Sequence, residues 1–466
     1  MRVPFCLSVK LKYAHMNTDE LIKKLTESIK VTSHIDTELF AKYNVKRGLR
    51  NEDHSGVLVG LTTIGDVVGY ERQEGAALKA IPGKLIYRGI DVEEIAESID
   101  KEKRFGFEET VFLLLAGYLP SSEELASFNK LIAEQRSIEE LSKFSILQLQ
   151  GHDIMNILAR SVMIMYTFDE NADDISHENL MKQAISLIAK FPTIIAYAYH
   201  SMRHNYQGQT LAIRHPKDNL SIAENFLHML KGQDRYTELD ARVLDMALVL
   251  HAEHGGGNNS TFAIRVTSSS GTDTYSSVTA AIGALKGPLH GGANLQVMDM
   301  FNHLKGAIQD WKDEKEIKTY LLKILKKEVY NQKGLIYGIG HAVYTISDPR
   351  AIILRNMARD LAHEKGRDNE FDFLELLEKL SIETFMEFKG LNVNKQVCAN
   401  VDFYSGFVYE MIGLPREVFT PIFAMARIAG WMAHRIEELN FESKRIIRPA
   451  YKNVSDRKKY LPLEER

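Results

Sequence analysis

The chain has 466 residues, 45% of them hydrophobic and 26% charged, so it can bury a large core and form two or three domains or subdomains. Lys and Arg number 58 against 62 Asp and Glu, a net charge of −4, and no basic stripe is interleaved with aromatics, which argues against nucleic acid as a partner. No uncharged apolar run reaches the roughly 18 residues a membrane span needs, and Cys6 and Cys398 lie too far apart in sequence to suggest a disulfide framework, which fits a reducing, cytoplasmic setting.

In chain order, residues 1–15 carry a short apolar patch without a small-residue cleavage site, and read as an appendage. Asn17-Thr18-Asp19-Glu20 reads as a helix cap. Strand-like alternation is largely confined to residues 56–92, in GVLVGLTTIGDVVGY and KLIYRGID. The stretch GFEETVFLLLAGYLPSSEELASFNKLI then predicts two helices: the first ends at Gly117, Pro120 blocks its continuation, and Ser121 with Glu124 forms a capping box for the second. Beyond HGGAN, Val297, Phe301, Leu304 and Ile308 fall on one helical face. With few prolines and no repeat, the chain is expected to be mainly α, with a small β element near its N-terminus.

Four polar stretches interrupt this pattern: HAEHGGGNNS (His251, His254), GPLHGGAN (His290), YGIGHAVYTISDPR (His341, Arg350) and NVDFYSG (Asp402). Three of them set the polar residue beside glycines, which let backbone approach a ligand closely. His251 and His254 are spaced i, i+3 at a helix end. Zincin ligands need i, i+4, and no third ligand cluster accompanies the pair, so a packing or capping role is expected for one of them and no metal is assigned.

His290 is either a hydrogen-bonded turn residue or a functional imidazole. Its place before a helix N-terminus disfavours a second positive charge, so the ring should stay neutral and donate to a carbonyl oxygen, with Gly291 and Gly292 clearing space for it. Asp402, beside Asn400, Ser405 and Gly406, reads by local sequence first as a turn or cap residue. Arg350, after Asp348-Pro349, can equally be a surface salt-bridge partner. Arg427 interrupts the apolar run PIFAMARIAGWMA and needs an anion, either a neighbouring Glu or a ligand carboxylate. Arg448, in RIIRPAY, is uninformative alone.

Taken in order, these stretches resemble the citrate synthase family from about Leu58 to Arg448; IPGKLIYRGIDVEEIAE and FEETVFLLLAGYLPSSEEL also look like its N-terminal helical region. The resemblance implies an acyltransferase that condenses acetyl-CoA with oxaloacetate. In it His290 would polarise the thioester carbonyl, Asp402 would take a proton from the methyl group, and His341 would bind the oxaloacetate carbonyl. His254, Arg350 and Arg427 would bind oxaloacetate, Arg448 would reach the neighbouring subunit's site in a homodimer, and His251 would be structural. Lys395 would contact CoA, whereas Thr345 stands where the family often has a basic CoA contact. No cofactor, nucleic acid or membrane is implied. The implied subdomains are a large one (56–293 with 406–466) and a small one (294–405), after an extension over 1–55.

A 2-methylcitrate synthase acting on propionyl-CoA would use the same residues, since one methylene shifts discrimination by only ~1–3 kcal/mol. A silent acyl-CoA or dicarboxylate scaffold would not need the base. A metallohydrolase on His251 and His254 is the remaining alternative.

Overall fold

The computed structural model describes residues 17–51, 55–71, 79–391 and 396–465. Cys6, Lys395 and the appendage over 1–15 lie outside these residues. The chain forms two compact units that meet in sequence at Gly60 and Leu61. In the first, Asn17 caps the helix Thr18–Thr32, its side chain accepting from the Asp19 amide, and a short helix, Glu38–Lys42, follows.

The second unit opens with strands β1 (Gly65–Glu71), β2 (Lys79–Tyr87) and β3 (Ile90–Asp91), paired antiparallel in the order β1-β2-β3. Gly65 faces Tyr87 and Val67 faces Leu85, and the register slips between Val68 and Tyr70. The sheet leans on the loop that follows His341. The Gly83 amide donates to the Ser347 carbonyl at 3.2 Å, and a Cβ at Gly83 would lie 2.2 Å from that oxygen.

Helices make up the rest of this unit, as composition and punctuation predicted. Phe107–Ala116 ends on Gly117 in the left-handed region, and Ser121 and Glu124 form the reciprocal capping box of Ser122–Gln135. Ser121→Ala should therefore cost about 1 kcal/mol in chemical denaturation with activity unchanged; no loss would mean that water replaces the cap. Val297, Phe301 and Leu304 are buried along Ala293–Ala307, and Ile308 follows as its buried C-cap.

One feature runs against simple punctuation. Pro192 sits inside the 31-residue helix His177–Gln207 without ending it. Proline there forfeits one intrahelical hydrogen bond, but every residue from Leu187 to Met202 is buried, so packing outweighs the loss.

Two groups of helices position the functional residues. Phe419–Leu439 packs against His177–Gln207, Glu238–His251, Asn259–Ser268 and Phe107–Ala116, and is buried almost throughout. Asp402–Met411 packs against Ala293–Ala307 and Pro349–Glu364.

Candidate active site

Backbone pairing joins the third and fourth polar motifs. The Gly340 amide donates to the Cys398 carbonyl (2.8 Å) and the Asn400 amide to the Gly338 carbonyl (2.9 Å). Gly338 has φ +81°, and a Cβ there would come within 2.8 Å of the Phe403 ring, so only glycine suits the crossing. Asn400 completes the splice: its Nδ2 donates to the Gly340 carbonyl (2.9 Å) and its Oδ1 accepts from the Asp402 amide (3.1 Å). The loop bearing His341 is thereby tied to the helix that begins at Asp402.

Asp348 makes a second tie. As N-cap of Pro349–Glu364, it accepts from the Arg350 amide, and its two oxygens take the Arg350 guanidinium in a fork, Nε at 3.0 Å and Nη2 at 2.7 Å. The same carboxylate accepts from the Val401 amide at 3.3 Å, one residue before Asp402. Burial opposes the Arg350 charge, but the field and hydrogen bonds of Asp348 more than offset it and hold the guanidinium protonated above its ordinary range. Arg350 is thus a salt-bridge partner, but a buried one among the polar motifs rather than the surface one expected.

The histidines converge on this loop. His341 Nδ1 accepts from the amides of Val343 (3.1 Å) and Tyr344 (3.0 Å), which puts the ring proton on Nε2. Its ring stacks on Tyr344 at 4.6 Å, and His254 meets both rings edge-on, at 5.1 Å from His341 and 5.6 Å from Tyr344. His254 lies just past the end of Glu238–His251, buried, with no hydrogen-bond partner for Nε2 among the described residues. Burial, then Arg350, His341, Arg427 and His251, push it well below the usual imidazole range. His251 packs edge-on against Phe423 at 4.7 Å, and its carbonyl accepts from Arg427 Nε at 2.6 Å, which is the structural role expected of one member of the pair.

His290 lies in the turn before Ala293–Ala307, with Nε2 3.1 Å from Ser260 Oγ. The Trp431 indole N–H donates to the same hydroxyl at 3.1 Å, and the hydroxyl donates to Asn258 Oδ1 at 3.0 Å. The His290 imidazole is pushed down to about 4, first by burial and then by Arg427, so it is neutral as expected, although these causes, rather than the helix terminus invoked from sequence, account for it. The expected role of the glycines is corrected. A Cβ on Gly291 would lie 2.3 Å from the Leu285 carbonyl and 2.9 Å from Thr420, and one on Gly292 would lie 3.3 Å from Pro288. They clear space for the chain's own turn rather than for a ligand.

Arg427 lies beneath this group, fully buried over the Phe423 ring at 4.7 Å. Its Nη1 and Nη2 meet no acceptor among the described residues. Burial drags its pKa down to about 10 against the opposing field of Glu253 and Tyr87, so it remains a cation at neutral pH. Asp402 is affected in the opposite direction. Burial pushes its carboxyl up to about 6, Asp348 adds to the rise, and Arg350 and Arg427 restrain it. A base near neutrality, two neutral imidazoles and two buried guanidinium groups are arranged to receive an anion and move a proton.

Sequence reasoning missed Ser260, Trp431, Phe423, Asp348, Tyr344 and Asn400. Phe423, Arg427 and Trp431 are spaced i, i+4, i+8 on one helix, a signal that could have grouped them. Of two further residues singled out from sequence, Lys395 lies outside the described residues and Arg448 does not join the group within this chain. Arg448 is exposed on the segment after Phe419–Leu439, where the neighbouring Ile447 amide donates to Ser269 Oγ at 3.0 Å. Thr345 Oγ1 is buried without a hydrogen-bond partner among the described residues.

A protein-family model described as citrate synthase, C-terminal domain, matches residues 53–450. The chain belongs to the citrate synthase family. It is 39% identical to a citrate synthase of Deinococcus radiodurans over 368 residues, 79% of this chain and 88% of that one. A 2-methylcitrate synthase of Shewanella oneidensis is 34% identical over 384 residues, covering 82% and 92% of the two chains. Among solved structures, the ternary complex of Thermoplasma acidophilum citrate synthase with carboxymethyl coenzyme A and oxaloacetate aligns with a TM-score of 0.73 at 28% identity, over 91% of this chain and 99% of that one. The mainly helical architecture is that of the family, and the family is one of acyltransferases.

Proposed function

We propose that this chain condenses acetyl-CoA with oxaloacetate and hydrolyses the resulting citryl-CoA to citrate and CoA. The observation that carries the reading is Arg427, a buried cation whose two terminal nitrogens meet no acceptor among the described residues, within whose field lies Asp402, raised to about 6. Such a guanidinium calls for a carboxylate, and oxaloacetate brings two.

Arg350, Arg427 and His254 hold the dianion, and His341 Nε2–H donates to its ketone oxygen, which makes the ketone carbon electrophilic. Asp402 takes a proton from the acetyl methyl group. An unassisted carboxylate is too weak a base for that proton, so His290 must stabilise the enolate oxygen as it forms. In the reacting state the Ser260 hydroxyl, which accepts from Trp431, turns its proton from Asn258 Oδ1 to His290 Nε2, leaving the His290 proton on Nδ1 for the thioester oxygen. The enolate carbon attacks the ketone carbon. Water then adds to the thioester carbonyl, and sulfur leaves as the CoA thiol. Lys395 supplies a CoA contact in this reading, and no cofactor takes part.

Helices between 294 and 405 form the smaller subdomain, which closes over the substrates. Closure predicts that acetyl-CoA, or an unreactive analogue, binds more tightly by calorimetry once oxaloacetate is present; equal affinity in both cases would remove the closure step. The activity is tested by CoA thiol release with acetyl-CoA and with propionyl-CoA, each with and without oxaloacetate. Oxaloacetate-dependent release with acetyl-CoA preferred supports the reading; propionyl-CoA preferred makes the protein a 2-methylcitrate synthase, and no release with either leaves only the scaffold.

The assembly is a homodimer in which Arg448 enters the partner's site. Residues 444–454 form no helix or strand and expose Ile446 (67%) and Tyr451 (93%), apolar surface suited to lying on another subunit. Arg448→Ala and Asp402→Asn should each lose most activity alone. A mixed dimer has one site with both residues intact, and random mixing makes half the dimers mixed, so refolding the two variants together should restore about a quarter of wild-type activity. Activity no higher than that of the single variants, with mixed dimers present by tag pull-down, would place Arg448 elsewhere.

A further inference from the structure

Away from the histidine cluster, and sharing no residue with it, an open pocket of about 330 Å³ is lined by Arg203, Arg214, Lys231, Arg235 and His200 among its residues, and by no carboxylate. Three helix C-termini converge on it: those of His177–Gln207, Ile222–Lys231 and Asp402–Met411.

The simplest account of the basic residues is that they neutralise those helix ends, and in part they do. Arg214 Nη1 donates to the Met229 carbonyl at 3.2 Å, His200 Nε2 lies 3.1 Å from the same oxygen, and Lys231 donates to the Ile412 carbonyl. The charges do not balance on that account, however. Each helix end carries about half a negative charge, so three supply roughly −1.5 against four permanent cations. Among the described residues, none of the four cations has a carboxylate within 4.0 Å, whereas most other buried or half-buried cations of the chain have one. Asp240 acts on Lys231 from beyond the lining but is itself paired with Lys365 at 2.8 Å, and Glu417, which acts on Tyr199, lies outside the lining. Arg203 is held toward the pocket by Tyr199 Oη (3.0 Å) and Gln207 (3.2 Å), and Arg235 is exposed at the rim.

We propose that this pocket binds a compact phosphate-bearing anion of about three negative charges, either the diphosphate of a nucleotide or a free polyphosphate. The surplus of roughly two and a half positive charges matches such an anion, forked guanidinium groups suit phosphoryl oxygens, and the volume lies at the small end of ligand sites. The site is independent of the proposed catalysis. One wall, Gly413 and Pro415, is nevertheless the corner between the helix that starts at Asp402 and the helix that carries Arg427, so an anion seated there grips the joint between them.

The test is calorimetric titration of the full chain with inorganic pyrophosphate and, separately, with ADP. The comparison is the Arg203→Gln/Arg235→Gln double variant, which leaves the helix-capping Arg214 and Lys231 in place. Wild type should bind pyrophosphate with a Kd of about 1 mM or tighter, and the double variant at least ~10-fold more weakly, with unchanged turnover showing that it is folded. ADP tighter than pyrophosphate identifies a nucleotide; ADP weaker identifies a free polyphosphate. Equal affinity in the two proteins, which would place the anion elsewhere, or no saturable binding to wild type, overturns the proposal.

Discussion

Asp402→Asn is expected to lower kcat by ~10²–10⁴ while oxaloacetate affinity stays near the wild-type value. The amide keeps the shape of the side chain and the Asn400 contact to the backbone, and removes only the basic oxygen. The pH profile separates loss of a base from loss of structure. With the carboxyl pushed up to about 6, the base is ionised above that value, and the wild-type rate falls about tenfold per unit as pH drops below it. His290, pushed down to about 4, stays neutral through that window and adds no limb of its own there. In the amide variant the limb near pH 6 should vanish along with the rate. Near-normal turnover, or a surviving limb, assigns the base to another residue.

Arg427→Met should separate function from stability. Truncating one partner of a buried charge pair costs about 2–5 kcal/mol in binding, so kcat/KM for oxaloacetate should fall from roughly 30-fold to several thousand-fold. The folded protein should melt no lower than wild type. Without substrate, Arg427 is a buried cation with two nitrogens unpartnered among the described residues, and burial has already drawn its pKa to about 10. A methionine of similar volume removes that desolvation cost and gives up one bond, to the His251 carbonyl. A large drop in melting temperature would make Arg427 a structural member of the core, and normal oxaloacetate kinetics would remove it from the site.

Helix ends were legible because their signals are local. Gly117, Pro120 and the Ser121–Glu124 box act within a few residues of one another, and the burial of Val297, Phe301 and Leu304 follows from spacing alone. Four polar motifs also stood out, because histidines and aspartates beside glycines break an otherwise helical pattern. What binds those motifs together was not legible. Ser260 is one polar residue in a run of them, and its meaning depends on Trp431, 171 positions away. The proton position on His341 is set by two amides of its own loop, and no composition announces that. Gly291 was misread because sequence can show that space is needed but not what fills it; the Leu285 carbonyl fills it. Pro192 would have been read as a break, since the packing that overrides it comes from helices distant in sequence.

Asp348 links two tasks through one side chain: it forks Arg350, caps that residue's helix, and accepts from the Val401 amide just ahead of Asp402. In the proposed reaction, the grip on one substrate and the aim of the base for the other therefore share a part, and they cannot drift apart in evolution by small independent steps. A lineage exploring a new keto acid by altering Arg350 disturbs the carboxylate that seats the base's helix, and with it the deprotonation of the thioester. Side chains outside that knot are where substrate range can change gradually, which leaves the charged centre epistatically locked.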